Sequence, residues 1–132
     1  MAAYNEEGKI GKTICRIPNY VDEIVVIDDS SIDKTFQEAI DNGATVISHV
    51  QNLGAGAAYR SGYLYGLEKN YDIIVELAGD NQDYPEELHR LLNTLILEDY
   101  DYVHGSRWLK KGRRINHPFH RSSFTIIYSC FM

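Results

Sequence analysis

Apolar residues recur along this chain in two alternating rhythms. Ile10, Thr13, Ile14 and Ile17 are spaced three and four apart, as on one helical face, and residues 23–27 (Glu-Ile-Val-Val-Ile) form the short apolar run of a buried strand. The pattern then repeats. Phe36, Ala39 and Ile40 share one side of residues 34–42, residues 45–48 read as a short strand, and residues 54–70 read as a helix. In that helix Ala55, Ala58, Gly62 and Gly66 allow close packing on a sheet. Residues 73–77 make a third apolar strand, and Pro85 opens a helix with Leu88, Leu91, Leu92 and Leu95 on one face. A further short strand is expected at 102–104. Phe124, Ile127, Tyr128 and Phe131 share a helical face after Pro118, while Asn5 is expected to cap the first helix and Pro18 to end it.

This alternation predicts an α/β fold, a Rossmann-like and mostly parallel sheet with helices on both faces. Only Met1, Ala2 and Ala3 precede the first helix, too few for a full strand, and the apolar pattern is unfinished at Met132. Residues 1–132 are therefore expected to be a single domain that is incomplete at both ends.

Charge and cysteine usage narrow the function. The 132 residues carry a formal net charge of -6, which argues against broad binding to nucleic acid, although Lys110, Lys111, Arg113 and Arg114 form a local basic patch. Cys15 and Cys130 have no zinc or Cys-x-x-Cys spacing, so a cytoplasmic setting is expected. No apolar run approaches the roughly 18 to 20 residues of a membrane span. His49, His89, His104, His117 and His120 show no metal spacing and are expected mostly at the surface.

The candidate chemistry lies at strand exits. Asp28 and Asp29, with Ser30, Ser31 and Asp33, follow one strand, and Asp80, Asn81, Gln82 and Asp83 follow another. Open parallel sheets bind ligands outside the carboxyl ends of their strands, and carboxylates there can hold a divalent cation or accept hydrogen bonds from a base or ribose. The same residues also suit a plainer role as turns and helix caps. Gly54-Ala-Gly56 is a poor dinucleotide loop, because Tyr59 stands where the third glycine belongs and residues 49–53 separate the glycines from the strand. Arg107, after the last strand, suits phosphate oxygens.

Five blocks in order carry a resemblance: Ala-Tyr-Asn-Glu-Glu from Ala3, Val-Ile-Asp-Asp-Ser-Ser-Ile-Asp-Lys-Thr from Val26, Asn-Leu-Gly-Ala-Gly-Ala-Ala-Tyr-Arg-Ser-Gly from Asn52, Gly-Asp-Asn-Gln-Asp-Tyr-Pro-Glu from Gly79, and Gly-Ser-Arg-Trp from Gly105. Together they resemble family 2 glycosyltransferases, in the branch typified by dolichyl-phosphate mannose synthase.

The resemblance implies a GT-A fold that binds a nucleotide-diphosphate sugar and transfers the sugar with inversion, using magnesium or manganese. Tyr4, Glu6 and Asp29 match positions that hold the nucleotide. The family's Asp-x-Asp loop and following glutamine map onto Ala78, Gly79, Asp80 and Gln82, so Asp80 and Gln82 are expected to face the metal and diphosphate. Arg107 matches a donor-phosphate contact. Ala78 replaces the first acid of the loop, Ala2 the usual proline, and Ser30 the usual glycine or asparagine. Charge builds on the β-phosphate as the nucleoside diphosphate departs, and a cation at Asp80 with Arg107 nearby would stabilise it; these two are the expected catalytic residues. The resemblance further implies that residues 109–132 begin an acceptor-side region, that the acceptor is a polyprenyl (dolichyl-type) phosphate, and that the full-length protein associates peripherally with the cytoplasmic face of a membrane. A nucleotide-binding remnant without transfer activity is the alternative.

Overall fold

A computed structural model describes residues 1–106, and the chain divides into two compact units, Met1–Leu92 and Asn93–Met132. The chain runs through β1 (Ala2–Ala3), α1 (Ile10–Cys15), β2 (Val25–Asp28), α2 (Thr35–Asp41), β3 (Thr45–Ser48), α3 (Ala55–Glu68), a 3-10 turn (Pro85–Glu87) and α4 (Leu88–Leu97). The sheet order is β1-β2-β3 and both pairings are parallel, with Ala2 opposite Ile27 and Val25 opposite Thr45.

Successive residues of β2 serve opposite faces. Val26 joins Ile10, Ile14 and Ala39 in the core, while Ile27 lies against Gly62 of α3. A strand covered on both sides needs apolar residues at every position, which is why residues 23–27 show no polar alternation. Ile10, Val26 and Ile27 are at most 1% exposed, so truncating one of them to alanine costs about 1 to 5 kcal/mol. On the other side of β1, Gly66 lets α3 lie on residues 73–77: a Cβ at Gly66 would stand 2.6 Å from Ile74 Cδ1.

The parallel α/β architecture with helices on both faces is as expected, but several elements differ. Residues 73–77 do not form a ladder strand. An isolated parallel bridge joins Ala2 to Ala78, just after this segment. An apolar slot of about 280 Å³ is lined by Met1, Ile24, Val25, Ile73, Ile74 and Leu77 among others.

Asn5 does not cap α1, whose flanking residue is Lys9, and the helix ends at Cys15, before Pro18. In the second unit, residues 102–104 are not a strand. Tyr102 is 76% exposed and its ring stacks on that of His104, with centroids 6.4 Å apart. The expectations for Arg107, for residues 109–132 and for the helix after Pro118 lie outside the described residues. Among the described residues no helix is long and apolar enough to cross a membrane.

Candidate functional site

Three of the chain segments that turn at the carboxyl edge of the sheet do so through a non-glycine residue in the left-handed region. These are Asn5 (φ 54) after β1, Ser30 (φ 65) after β2 and Asn81 (φ 62) after the bridge at Ala78. Such backbone is unfavourable for most side chains and persists where surrounding bonds enforce it. The Asn5 and Ser30 turns lock together: Asn5 N–H donates to Ser31 Oγ at 3.0 Å, and Asn5 Oδ1 accepts from Ile32 N–H at 3.0 Å. A left-handed turn such as that at Ser30 is adopted most readily by glycine or asparagine.

Between these turns lies a cavity of about 420 Å³, lined by Tyr4, Glu6, Asp29, Asn52, Tyr59, Gly79 and Asp80 among others. The structure thus brings together five of the expected site residues: Tyr4, Glu6, Asp29, Gly79 and Asp80. Gln82 is exposed and outside this lining; its backbone N–H donates to Asp80 Oδ1 at 3.0 Å. Arg107 is outside the described residues.

The two aspartates after β2 have separate tasks. Asp28 Oδ1 accepts from Ser31 N–H at 3.1 Å and its Oδ2 from Ser48 Oγ at 3.2 Å, so this residue shapes the turn. Asp33 accepts from Thr35 N–H at 2.9 Å and serves the start of α2. The plainer reading therefore holds for these two. Asp29 faces the cavity, and its carboxylate accepts from Leu53 N–H at 2.9 Å, Gly54 N–H at 2.7 Å and His49 Nδ1 at 2.6 Å. Burial raises its pKa, but the bonds from Leu53, His49 and Gly54 outweigh this and hold it below the ordinary value.

The Asp80 loop is fastened from outside. Asp83 Oδ2 accepts from Ala78 N–H at 3.2 Å, and Gly79 N–H donates to Ala2 O at 3.1 Å. Gly79 has no room for a side chain, since a Cβ would sit 3.0 Å from Ile10 Cδ1 and 3.1 Å from Ala2 O. Arg16, just past α1, reaches the loop: Nη1 donates to Asn81 Oδ1 at 2.8 Å, and Nε and Nη2 fork onto Glu86 at 2.7 and 2.9 Å. Its guanidinium also lies 5.4 Å from the Tyr84 ring centroid. The bond to Arg16 depresses the pKa of Glu86.

A sequence model of glycosyl transferase family 2 matches residues 1–129. The chain belongs to this family. It is 35% identical over 125 residues to undecaprenyl-phosphate mannosyltransferase of Micrococcus luteus, covering 89% of this chain and 51% of that one. It is 32% identical over 126 residues to polyprenol monophosphomannose synthase of Mycolicibacterium smegmatis, covering 89% and 47% respectively. The chain thus spans about half the length of these curated relatives. Among solved structures, glucosyl-3-phosphoglycerate synthase from Mycobacterium tuberculosis in complex with Mn2+ and UDP-glucose is similar with a TM-score of 0.56 and 32% identity, over 72% of this chain and 37% of that one. The same enzyme has been solved with Mg2+ and UDP.

Sequence reasoning missed two residues that support the cavity's acids and their loop. His49 is not at the surface: its side chain is 11% exposed and bonded to Asp29. Its position directly after β3, on the rim that carries the acids, was the available signal. Arg16 gave none, because its partners Asn81 and Glu86 are 65 and 70 positions away.

Proposed function

We propose that this domain is the donor-binding part of an inverting glycosyltransferase, and that the whole protein transfers a sugar from a nucleotide-diphosphate sugar to a polyprenyl phosphate. The observation that carries this reading is the convergence of Tyr4, Glu6, Asp29, Gly79 and Asp80 on one cavity at the carboxyl edge of a parallel sheet. Membership of family 2 and the lipid-phosphate mannosyltransferases among the relatives support it. In this reading Asp29 and Tyr4 hold the nucleoside, Arg107 contacts the donor phosphates, and residues 109–132 begin the acceptor side at the cytoplasmic face of a membrane.

Among the described residues no group of three or more His, Cys, Asp or Glu side chains gathers to hold a metal ion. This fits a magnesium-type ion taken up with its substrate, since such ions use one or two carboxylates together with phosphate oxygens and water. Asp80 lines the cavity and accepts one hydrogen bond among the described residues, from Gln82 N–H, so it retains acceptor capacity. Asp80, with Gln82, would hold the ion, which supplies charge neutralisation at the departing diphosphate. Ala78 specifically favours the alternative of a binding remnant without transfer, because it leaves the loop one carboxylate short.

Titration calorimetry of the 132-residue chain with UDP and GDP tests the donor site. Binding is expected with magnesium or manganese, weakened about 10-fold or more by chelator, and the metal effect is expected to vanish in Asp80→Ala. Equal affinity with chelator and with metal would contradict the assignment of Asp80. Absence of any transfer by a chain extended to the length of its relatives, despite metal-dependent binding, would favour the remnant.

A further inference from the structure

The imidazole of His49 is wedged between two side chains. Its Nδ1 lies 2.6 Å from Asp29 Oδ1 and its Nε2 lies 2.9 Å from Ser61 Oγ, with the His49 and Asp29 side chains 11% and 4% exposed. An ionised carboxylate only accepts, so Nδ1 carries a proton in either charge state of the ring. In the neutral ring Nε2 is the acceptor and the Ser61 hydroxyl turns to donate to it. The Asp29 carboxylate thus fixes the tautomer, and the Ser61 hydroxyl, able to donate or accept, satisfies Nε2 and holds the far edge of the ring.

Serine, histidine and aspartate in this order also describe a nucleophilic relay. Its place in the fold argues against that use: Ser61 lies in the interior of α3, where its own backbone N–H belongs to the helical ladder and does not serve an oxyanion.

Asp29 is the part of the cavity that this arrangement controls. Leu53 N–H and Gly54 N–H hold the carboxylate from the loop before α3, and His49 holds it from the end of β3. Together these donors fix the plane of the carboxylate, and a ligating group fixed in this way loses no rotamer freedom when a ligand arrives. Three bonds leave acceptor capacity on a group that lines the cavity. That capacity suits an N–H donor on the edge of a nucleobase.

We propose that His49 is a positioning residue for nucleoside recognition: it aims the Asp29 carboxylate at the base of the donor nucleotide, and Ser61 steadies the far edge of its ring. The inference rests on the nucleotide-binding reading of the cavity. In this reading His49 acts away from the diphosphate, since its partners are Asp29 and Ser61 while the Asp80 loop is held by Arg16 and Asp83.

The test compares His49→Asn with His49→Gln in the 132-residue chain. An asparagine amide nitrogen overlays Nδ1 and keeps a donor for Asp29, whereas a glutamine amide reaches the Nε2 position and leaves Asp29 without one. Calorimetry with magnesium measures UDP, GDP and inorganic pyrophosphate, and circular dichroism verifies folding. His49→Gln is expected to weaken the nucleoside diphosphate that the parent binds on the order of 10-fold, the loss typical when the partner orienting a ligating group is removed. His49→Asn should stay within about 3-fold of the parent. Pyrophosphate should bind all three proteins alike. Equal nucleotide affinity in both variants, or a pyrophosphate loss that matches the nucleotide loss, overturns the positioning role while the nucleotide reading stands. A folded parent that binds neither UDP nor GDP overturns the nucleotide reading itself, and the inference with it.

Discussion

Asp29 and Asp80 share one cavity and are held in opposite ways. Asp29 is 3% exposed and carries bonds from His49, Leu53 and Gly54, all donors distant in sequence. Asp80 is half-buried and bonded to Gln82 N–H two residues on, while the loop around it is tied down through Asn81, Asp83 and Glu86. The contrast fits two kinds of ligand. A nucleobase edge has fixed hydrogen-bond geometry and rewards a carboxylate already in place, whereas a cation has a strong field of its own and rewards acceptor capacity left open. One acid is built into the fold; the other is displayed by it.

The largest expected effect is therefore on stability, and it separates the two acids. Asp29→Ala strands the donors of His49, Leu53 and Gly54, and buried groups left unpaired cost about 1 to 3 kcal/mol each. A loss of about 3 kcal/mol or more is expected, a large share of the roughly 5 to 15 kcal/mol typical of a domain. Asp80→Ala removes one local bond from a half-buried residue and should cost under about 1 kcal/mol. Urea unfolding of both variants measures the difference. Equal losses would break the comparison.

The same contrast marks where the sequence was legible. β2 and β3 and the helices α2 and α3 are local products of apolar spacing, and the acids after them could be placed on one rim because parallel strands share a direction. What could not be read depends on partners far along the chain. Residues 73–77 have the composition of a strand, but whether an apolar run joins a ladder depends on its neighbours, and the contact observed is an isolated bridge at Ala78. Histidine is ambiguous by composition, and only the pairing of β2 with β3 brings His49 beside Asp29. Asn5, read as a helix cap, instead takes a left-handed turn bonded to the Ser31 hydroxyl and the Ile32 N–H.

Arg16 sharpens the comparison from the Asp80 side. If the displayed acid depends on its loop being fastened, Arg16→Ala should weaken magnesium-dependent nucleotide binding up to about 10-fold, as for other outer partners of metal ligands. Its effect on stability should be small, because the pair with Glu86 is substantially exposed, with side-chain exposures of 28% and 53%. Arg16→Lys can keep a charge but cannot fork onto Glu86 while reaching Asn81, so partial recovery at most is expected. Unchanged magnesium dependence in Arg16→Ala would show that Asp83 and Gly79 hold the loop without it.

The smallest effect is in the acid limb of stability, and it tests whether Asp29 is held as an anion. Burial alone would raise its pKa; the bonds from Leu53 N–H, His49 and Gly54 N–H prevail and lower it. A carboxylate with a folded-state pKa below its unfolded value binds fewer protons when folded. Its contribution is present in full above the unfolded value of about 3.9 and is lost as the pH falls through the lower, folded value. Glu23, lowered by its bonds from Thr45 and Tyr71, and Glu86, lowered by Arg16, act in the same direction, so Asp29 supplies only part of the slope. Urea midpoints between about pH 3 and pH 6 should therefore fall with acid in the parent and fall less steeply in Asp29→Asn. Parallel curves for the two proteins would mean that Asp29 gains no protection from its donors, and the distinction between a fixed and a displayed acid would then rest on geometry alone.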